Sequence, residues 1–154
     1  MIKANVITKN LSWRNYIKNP NSYIDRKIKK LNNKNKKLKK SIYFTLLLSG
    51  EKEIKNLNRK FRNKNKATDV LSFPFYTKKE LNKRLISEKE IYLGDIIINL
   101  NQIKGKKKLK NFKAEFNNLW IHGLVHLLGY DHKKEKDFLA MKKIEKKYSS
   151  FIND

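Results

Sequence analysis

Residues 121–132 read IHGLVHLLGYDH, and they contain all three histidines of the chain, His122, His126 and His132. The apolar residues of segment 109–128 recur at helical spacing, which predicts a helix through the first two histidines. Residues four apart on a helix project from the same face about one turn apart. Two imidazoles in this position can share one metal ion, so the stretch predicts a metal site.

The third histidine follows a predicted helix end. Gly129 is suited to a left-handed C-terminal position, where the chain can turn and bring His132 back toward the other two rings. Three neutral imidazoles leave one position of tetrahedral zinc open, as in catalytic rather than structural sites. We therefore expect one zinc ion per chain, although the same ligands also accept nickel or copper. Histidines that are merely packed or exposed are the alternative, and their concentration in eleven residues argues against it.

The residue after the first histidine bears on the substrate. The spacing His-x-x-x-His-x-x-Gly-x-x-His is that of the metzincin proteases, which carry a glutamate there as the general base. Here that residue is Gly123, which cannot accept a proton from water. We therefore predict a metzincin-like arrangement of a zinc hydrolase whose substrate is not a peptide.

The rest of the chain alternates between strand-like and helical patterns. Strands are predicted near residues 3–8, 41–48, 68–75 and 92–100, and helices near 22–31, 51–61, 109–128 and 133–148. Segment 41–48 is almost continuously apolar, which indicates a strand buried on both faces. Residues 32–40 suggest an exposed connection, and residues 76–90 a loop or a short helix. We expect one α+β domain over residues 1–154, with a single mixed sheet of about four strands packed against helices.

Composition limits the possible partners. The chain has 154 residues with 38 Lys and Arg against 14 Asp and Glu, a net charge of +24. Such a charge favours a polyanion such as RNA, DNA or an anionic membrane, although an AT-rich genome would also produce a sequence rich in Lys, Asn and Ile. No segment reaches the roughly 18–20 apolar residues of a membrane span. The first residues lack the apolar core of a secretory signal, so a cytoplasmic protein is expected.

Three blocks of sequence resemble one known family. HGLVHLLGYDH (122–132) is similar to the signature of the YbeY family of bacterial metal-dependent endoribonucleases, with Val125 where the family usually has Leu. LNRKFRNKNKATDVLSFPF (57–75) and YLGDIII (92–98) resemble two further family blocks in the same order. Asn63 stands where glycine is common in the family.

The resemblance implies a single-strand-specific RNA hydrolase in the cytoplasm. It implies roles in late-stage 70S ribosome quality control and in maturing the 3′ end of 16S ribosomal RNA, with ribosomal RNA and the small ribosomal subunit as partners. It assigns one zinc ion to His122, His126 and His132, and the family's functional arginine to Arg62. Arg62 is one of only five arginines, and a guanidinium can bind two phosphate oxygens at once. A surface arginine that caps the preceding helix is the alternative.

Other assignments stay open on the sequence alone. A ribosome-associated RNA-binding factor with a structural zinc is the alternative function. Asp69, Asp95 and Asp131 are able either to orient ligand imidazoles or to cap turns, and Asp131 is the preferred candidate. Trp120 and Phe116 are expected in the core rather than as base-stacking platforms. The lysine runs at 34–40 and 104–110 either steer RNA or form solvated loops.

Overall fold

Four strands form one mixed sheet in a computed structural model that describes residues 1–36 and 39–153. The strands are β1 (Ile2–Thr8), β2 (Ser41–Ser49), β3 (Val70–Pro74) and β4 (Glu90–Asn99). Their order is β1-β2-β4-β3; β1 and β4 each run parallel to β2, and β3 runs antiparallel to β4. This confirms the predicted mixed sheet of four strands. The first strand lies at one edge of the sheet, and β3, which ends at Pro74, lies at the other edge.

The described residues form five α-helices around the sheet, together with two short 3-10 segments. They are α1 (Pro20–Lys34), α2 (Glu51–Arg62), α3 (Lys78–Ser87), α4 (Leu109–Leu127) and α5 (Glu135–Asn153). Helix α1 packs against β1, α4 packs against β3 and β4, and α5 contacts both α1 and α4. The α+β class is therefore confirmed. None of the helices in the described part of the chain is both long and apolar enough to cross a bilayer.

The two faces of the sheet are covered unequally. On one face, alternate β2 residues such as Phe44 and Leu46 are fully buried in the main core. On the other face, a small cluster of Ile54, Leu71 and Ile97 is buried, whereas Tyr43 remains 38% exposed. The prediction that segment 41–48 is buried on both faces is therefore wrong, because α2 covers only part of the second face.

Segment 32–40 differs in part from its predicted form, and segment 76–90 contains the short helix that was one of its two predicted forms. Helix α1 continues into segment 32–40 as far as Lys34. The Asn32 side chain joins its last turn to β1, because it accepts from the N–H of Ile2 and donates to the carbonyl oxygen of Ile2, both at 2.8 Å. Residues 37 and 38 of that segment lie outside the described residues. Segment 76–90 contains α3, whose first turn is stabilised by a capping box in which Thr77 and Glu80 bond each other's backbone N–H groups.

Helix α4 lies close to the sheet at Gly123. A Cβ atom at this position would lie 2.7 Å from Cγ2 of Ile96, so only glycine allows this approach. Trp120 and Phe116 are fully buried on the same helix, which confirms that they belong to the core. Gly123 therefore lies on the side of α4 that faces the sheet.

Candidate metal centre

Helix α4 and the turn after it bring the three histidines together. The ring centroids of His122 and His126 are 4.6 Å apart, and that of His132 lies 5.0 Å from His126 and 6.0 Å from His122. One potential ligand atom from each residue lies within 4.8 Å of the other two, so the three side chains can hold one metal ion. His122 and His126 are half-buried and His132 is exposed, which leaves the cluster open on one side.

The turn depends on the left-handed conformation of Gly129, whose φ angle is +88°. Its N–H donates to the carbonyl of His126 at 2.9 Å, and the N–H of Tyr130 donates to the carbonyl of Val125 at 3.3 Å. These two bonds form the Schellman motif that commonly ends a helix at glycine. Because the motif reverses the chain within two residues, His132 returns to the same end of α4 as His126.

Two of the rings are oriented through their Nδ1 atoms. His122 Nδ1 lies 2.6 Å from Glu145 Oε1 of α5, and His126 Nδ1 lies 3.0 Å from the carbonyl oxygen of Tyr130. A carboxylate and a carbonyl only accept hydrogen bonds, so both Nδ1 atoms carry the proton. In the neutral form of each ring, Nε2 therefore keeps a free lone pair, as in most histidines that bind a metal. The donor set thus fits a zinc ion.

The local charges favour the protonation states that bind a metal. Burial, followed by the neighbouring His122, lowers the pKa of His126 and favours its neutral form. Burial acts to raise the pKa of Glu145, but hydrogen bonds from Lys142 and His122 outweigh it and leave this pKa lowered. Glu145 is therefore ionised and accepts a hydrogen bond from the Nδ1–H group of His122.

The carboxylate that bonds a histidine ring is not one of the three that the sequence suggested. Asp131 accepts a hydrogen bond from the N–H of His132 at 2.7 Å and caps the turn. Asp69 accepts from the N–H of Val70, and Asp95 accepts from the hydroxyl of Tyr92. Within the described residues, none of these aspartates bonds an imidazole. Glu145 was missed because it lies 23 residues beyond His122 in sequence, and no local pattern links the two positions.

A groove of about 740 Å³ runs past the histidines between α4, β3 and the loops next to them. Besides the histidines, four cationic side chains and two aspartates of the described residues line it, namely Arg62, Lys64, Lys78, Lys133, Asp69 and Asp131. The groove is therefore electropositive. Such a groove favours an anionic ligand beside the three histidines.

Arg62 reaches this groove from the last position of α2. Its Nη2 donates to the carbonyl oxygen of Ser72 on β3 at 3.1 Å, and its guanidinium lies 5.8 Å from the ring centre of Phe73. The side chain therefore points across to β3 and does not cap α2. The remaining N–H donors of the guanidinium make no hydrogen bond to the described residues, and they are free to bind an anion in the groove.

Comparisons with known proteins agree with this description. The profile of the family described as "Endoribonuclease YbeY" matches residues 8–153. A protein named endoribonuclease YbeY from Pelagibacter ubique is 42% identical, over 99% of this chain and 97% of its own length. Another protein of that name, from Buchnera aphidicola subsp. Schizaphis graminum, is 36% identical over 87% of this chain and 80% of its own length. The solution structure of TM1509 from Thermotoga maritima aligns with a TM-score of 0.63 and 26% identity, covering 97% of this chain and 89% of that one. This chain therefore belongs to the YbeY endoribonuclease family.

Proposed function

We propose that this protein is a metal-dependent endoribonuclease that hydrolyses phosphodiester bonds of single-stranded RNA in the groove beside the histidines. Membership of the YbeY family and the names of its relatives support an endoribonuclease. The observation that carries the proposal is the meeting of three histidines and Arg62 in one electropositive groove. RNA is a suitable ligand for that groove because its backbone carries one negative charge per nucleotide.

In this proposal His122, His126 and His132 hold one zinc ion through their free nitrogens. Lewis-acid catalysis is the chemistry that zinc supplies when bound at such a site. Glu145 and the Tyr130 carbonyl keep the Nδ1 protons in place, so that the ring nitrogens facing the groove remain unprotonated. Arg62 binds the non-bridging oxygens of the phosphate and stabilises the charge that develops during hydrolysis.

The packing at Gly123 supports a non-peptide substrate. A side chain at this position would meet Ile96 of the sheet, so α4 in this orientation does not present a carboxylate to the groove from residue 123. The spacing of the histidines remains the basis for proposing a metzincin-like arrangement of the zinc ligands. The general base of those proteases has no counterpart at this position.

We further infer the cellular role from the family resemblance. The proposed substrate is ribosomal RNA, with maturation of the 3′ end of 16S ribosomal RNA and late-stage 70S quality control as the processes served. The small ribosomal subunit is the proposed partner and the cytoplasm the proposed location. The net charge of +24 suits such a partner.

Replacing His126 with alanine tests the metal centre. We expect zinc content, measured by mass spectrometry of the purified protein, to fall well below one ion per chain. Cleavage of a precursor of the 16S 3′ end should be lost, while circular dichroism should show a folded protein. A folded variant that loses zinc but cleaves RNA at the wild-type rate would overturn the proposal.

The same variant distinguishes the proposed endoribonuclease from the alternative function. An RNA-binding factor with a structural zinc would either unfold when His126 is replaced or support ribosome maturation without cleavage. Cleavage by the wild-type protein that depends on added zinc, together with a folded His126→Ala protein, excludes that alternative.

Replacing Arg62 with lysine tests the phosphate contact. Lysine keeps the charge but cannot bind two phosphate oxygens at once, so we expect cleavage about 10- to 100-fold slower with unchanged zinc content. Arg59→Lys is the matched control, because Arg59 is exposed on the same helix but does not line the groove. Equal cleavage rates of the two variants would show that Arg62 takes no part in the reaction.

A further inference from the structure

A second cavity, of about 620 Å³, lies between α1 and the N-terminal half of α4, next to the end of α5. Nine of the residues that the structure describes line it: Tyr23, Arg26, Lys27, Lys30, Lys110, Lys113, Ala114, Asn117 and Asn153. We call this cavity the basic pocket. Its cationic residues come from two segments that are about 80 positions apart in sequence, so only the tertiary fold brings them together.

The lining of the basic pocket is strongly cationic. Five of its nine described lining residues are Lys or Arg, against 38 of the 154 residues of the chain, about one in four. No carboxylate from residues 1–36 or 39–153 lines it, and none of its cations forms an ion pair with those residues. The groove at the histidines contains Asp69 and Asp131, and two further cavities contain Glu145 and Glu51 in their linings.

Packing holds these like charges close together. The Lys27 ammonium donates to the carbonyl oxygen of Ile152 at 2.9 Å, which ties α1 to the end of α5. Lys27 and Lys113 both lie over the Tyr23 ring, at 5.7 and 5.9 Å from its centre. Burial, and then the charges of Lys30, Arg26 and Lys113, lower the pKa of Lys27. An anion in the pocket would relieve this repulsion.

The floor of the pocket offers a polar donor as well. The buried side chain of Asn117, 3% exposed, accepts hydrogen bonds through Oδ1 from the Tyr23 hydroxyl at 3.1 Å and from Trp120 Nε1 at 3.2 Å. These two donors determine which end of the amide is oxygen, so the NH₂ group points away from them. That group donates to no acceptor among the described residues, although it belongs to a side chain lining the pocket. An unpaired amide donor beside several ammonium groups is typical of phosphate recognition.

The basic pocket is separate from the groove at the metal centre. Lys113 and His122 are nine residues apart on α4, which corresponds to about 13 Å along the axis and half a turn around it. The two sites therefore lie on opposite sides of the helix and cannot contact the same phosphate. An RNA that occupies both must be long enough to pass around the helix.

We propose that the basic pocket binds backbone phosphates of RNA away from the bond that is cleaved, and so contributes affinity for long substrates. The identity of the ligand as RNA rests on the proposed function. The pocket supplies Lys30, Lys110 and Lys113 as phosphate contacts and Asn117 as a hydrogen-bond donor. It acts on RNA binding and takes no part in the chemical step.

The test compares two triple variants of equal charge. Lys30, Lys110 and Lys113 are replaced by glutamine in one protein. Lys9, Lys52 and Lys55 are replaced by glutamine in the control; Lys9 and Lys52 line a cavity that also contains Glu51 and Glu53, and Lys55 is exposed on α2. Affinity for labelled poly(U) is measured over a range of salt concentrations with a chelator present, so that binding is observed without cleavage.

We expect the basic-pocket variant to bind poly(U) about 10- to 100-fold more weakly than wild type, and its salt slope to be smaller by about two for three lost contacts. The control should keep the wild-type slope. Cleavage of a dinucleotide, which reaches only the metal centre, should be unchanged in both variants. The unfolding temperature of the basic-pocket variant should not fall, because the substitutions remove repulsion.

Other results overturn the inference. Equal slopes for the two variants would show that net charge alone is responsible. Binding of inorganic pyrophosphate in the pocket without any effect on poly(U) would identify a small-anion site instead. If the wild-type protein cleaves no RNA but the difference in slope remains, the proposed nuclease function fails while the RNA site stands.

Discussion

Replacing Glu145 should weaken zinc binding although Glu145 does not bind the metal itself. Its Oε1 lies 2.6 Å from His122 Nδ1 and holds that ring in the tautomer that leaves Nε2 free. The Glu145 side chain is only 15% exposed, so water does not readily take its place. Carboxylate partners of this kind keep the ring oriented and make it a better donor to the metal.

The magnitude follows from what each substitution removes. Loss of such a partner typically lowers metal affinity about 10- to 100-fold, or roughly 1.4 to 2.7 kcal/mol. Glutamine retains an oxygen that accepts the Nδ1 proton but loses the charge, so Glu145→Gln should lie near the tenfold end. Alanine loses both, so Glu145→Ala should approach the hundredfold end.

Competition with a chromophoric zinc chelator at constant pH measures the affinity directly. Lys142→Gln is the matched control, because Lys142 contacts the other oxygen of the same carboxylate at 3.0 Å and is 56% exposed. Solvent screens such an exposed contact, so we expect less than about a twofold change. Unfolding of the metal-free proteins should show little difference between wild type and Glu145→Gln.

Two results would refute this reasoning. Wild-type zinc affinity in Glu145→Ala would show that the contact with His122 does not influence the metal. A loss of metal-free stability as large as the loss of zinc affinity would show that Glu145 acts by joining α5 to α4. Cleavage activity at saturating zinc should recover in Glu145→Gln if positioning is its role.

Two further predictions concern stability. Gly123→Ala forces a methyl group against the buried side chain of Ile96, so we expect a net loss of about 1 to 2 kcal/mol in unfolding free energy, even though alanine favours helix. An additional Ile96→Val substitution should recover part of this loss. An unchanged denaturation midpoint of Gly123→Ala would contradict the close packing. Hydrogen bonds from the backbone and hydroxyl of Thr77 lower the pKa of Glu80. The contribution of Glu80 to stability is therefore present above the ordinary carboxyl pKa of about 4.5, and it is lost as the pH falls through the lowered pKa of the folded state. The melting temperature of Glu80→Gln should therefore differ from wild type at neutral pH and approach it in acid, and a constant difference would refute the linkage.

Features that depend on neighbours in sequence were predictable. The four-residue spacing of His122 and His126 and the left-handed Gly129 follow from helix geometry and from a local capping motif. The strands were predictable in number because apolar patterning reports burial on at least one face. Segment 41–48 shows the limit of this rule, because apolar residues also occur on the partly exposed face, where Tyr43 lies.

Features that depend on packing between distant elements were not predictable. Helix α5 brings Glu145 to His122, and α1 meets α4 to form the basic pocket; neither contact leaves a periodic signal along the chain. The packing of Gly123 against Ile96 likewise belongs to the contact between a helix and the sheet. The sequence by itself determined the three histidines, their helix and its turn, because these are set within a few residues by backbone geometry. Only the tertiary structure decided which carboxylate orients the first histidine, where Arg62 points and where the positive charge is concentrated, because these depend on how separate elements pack together.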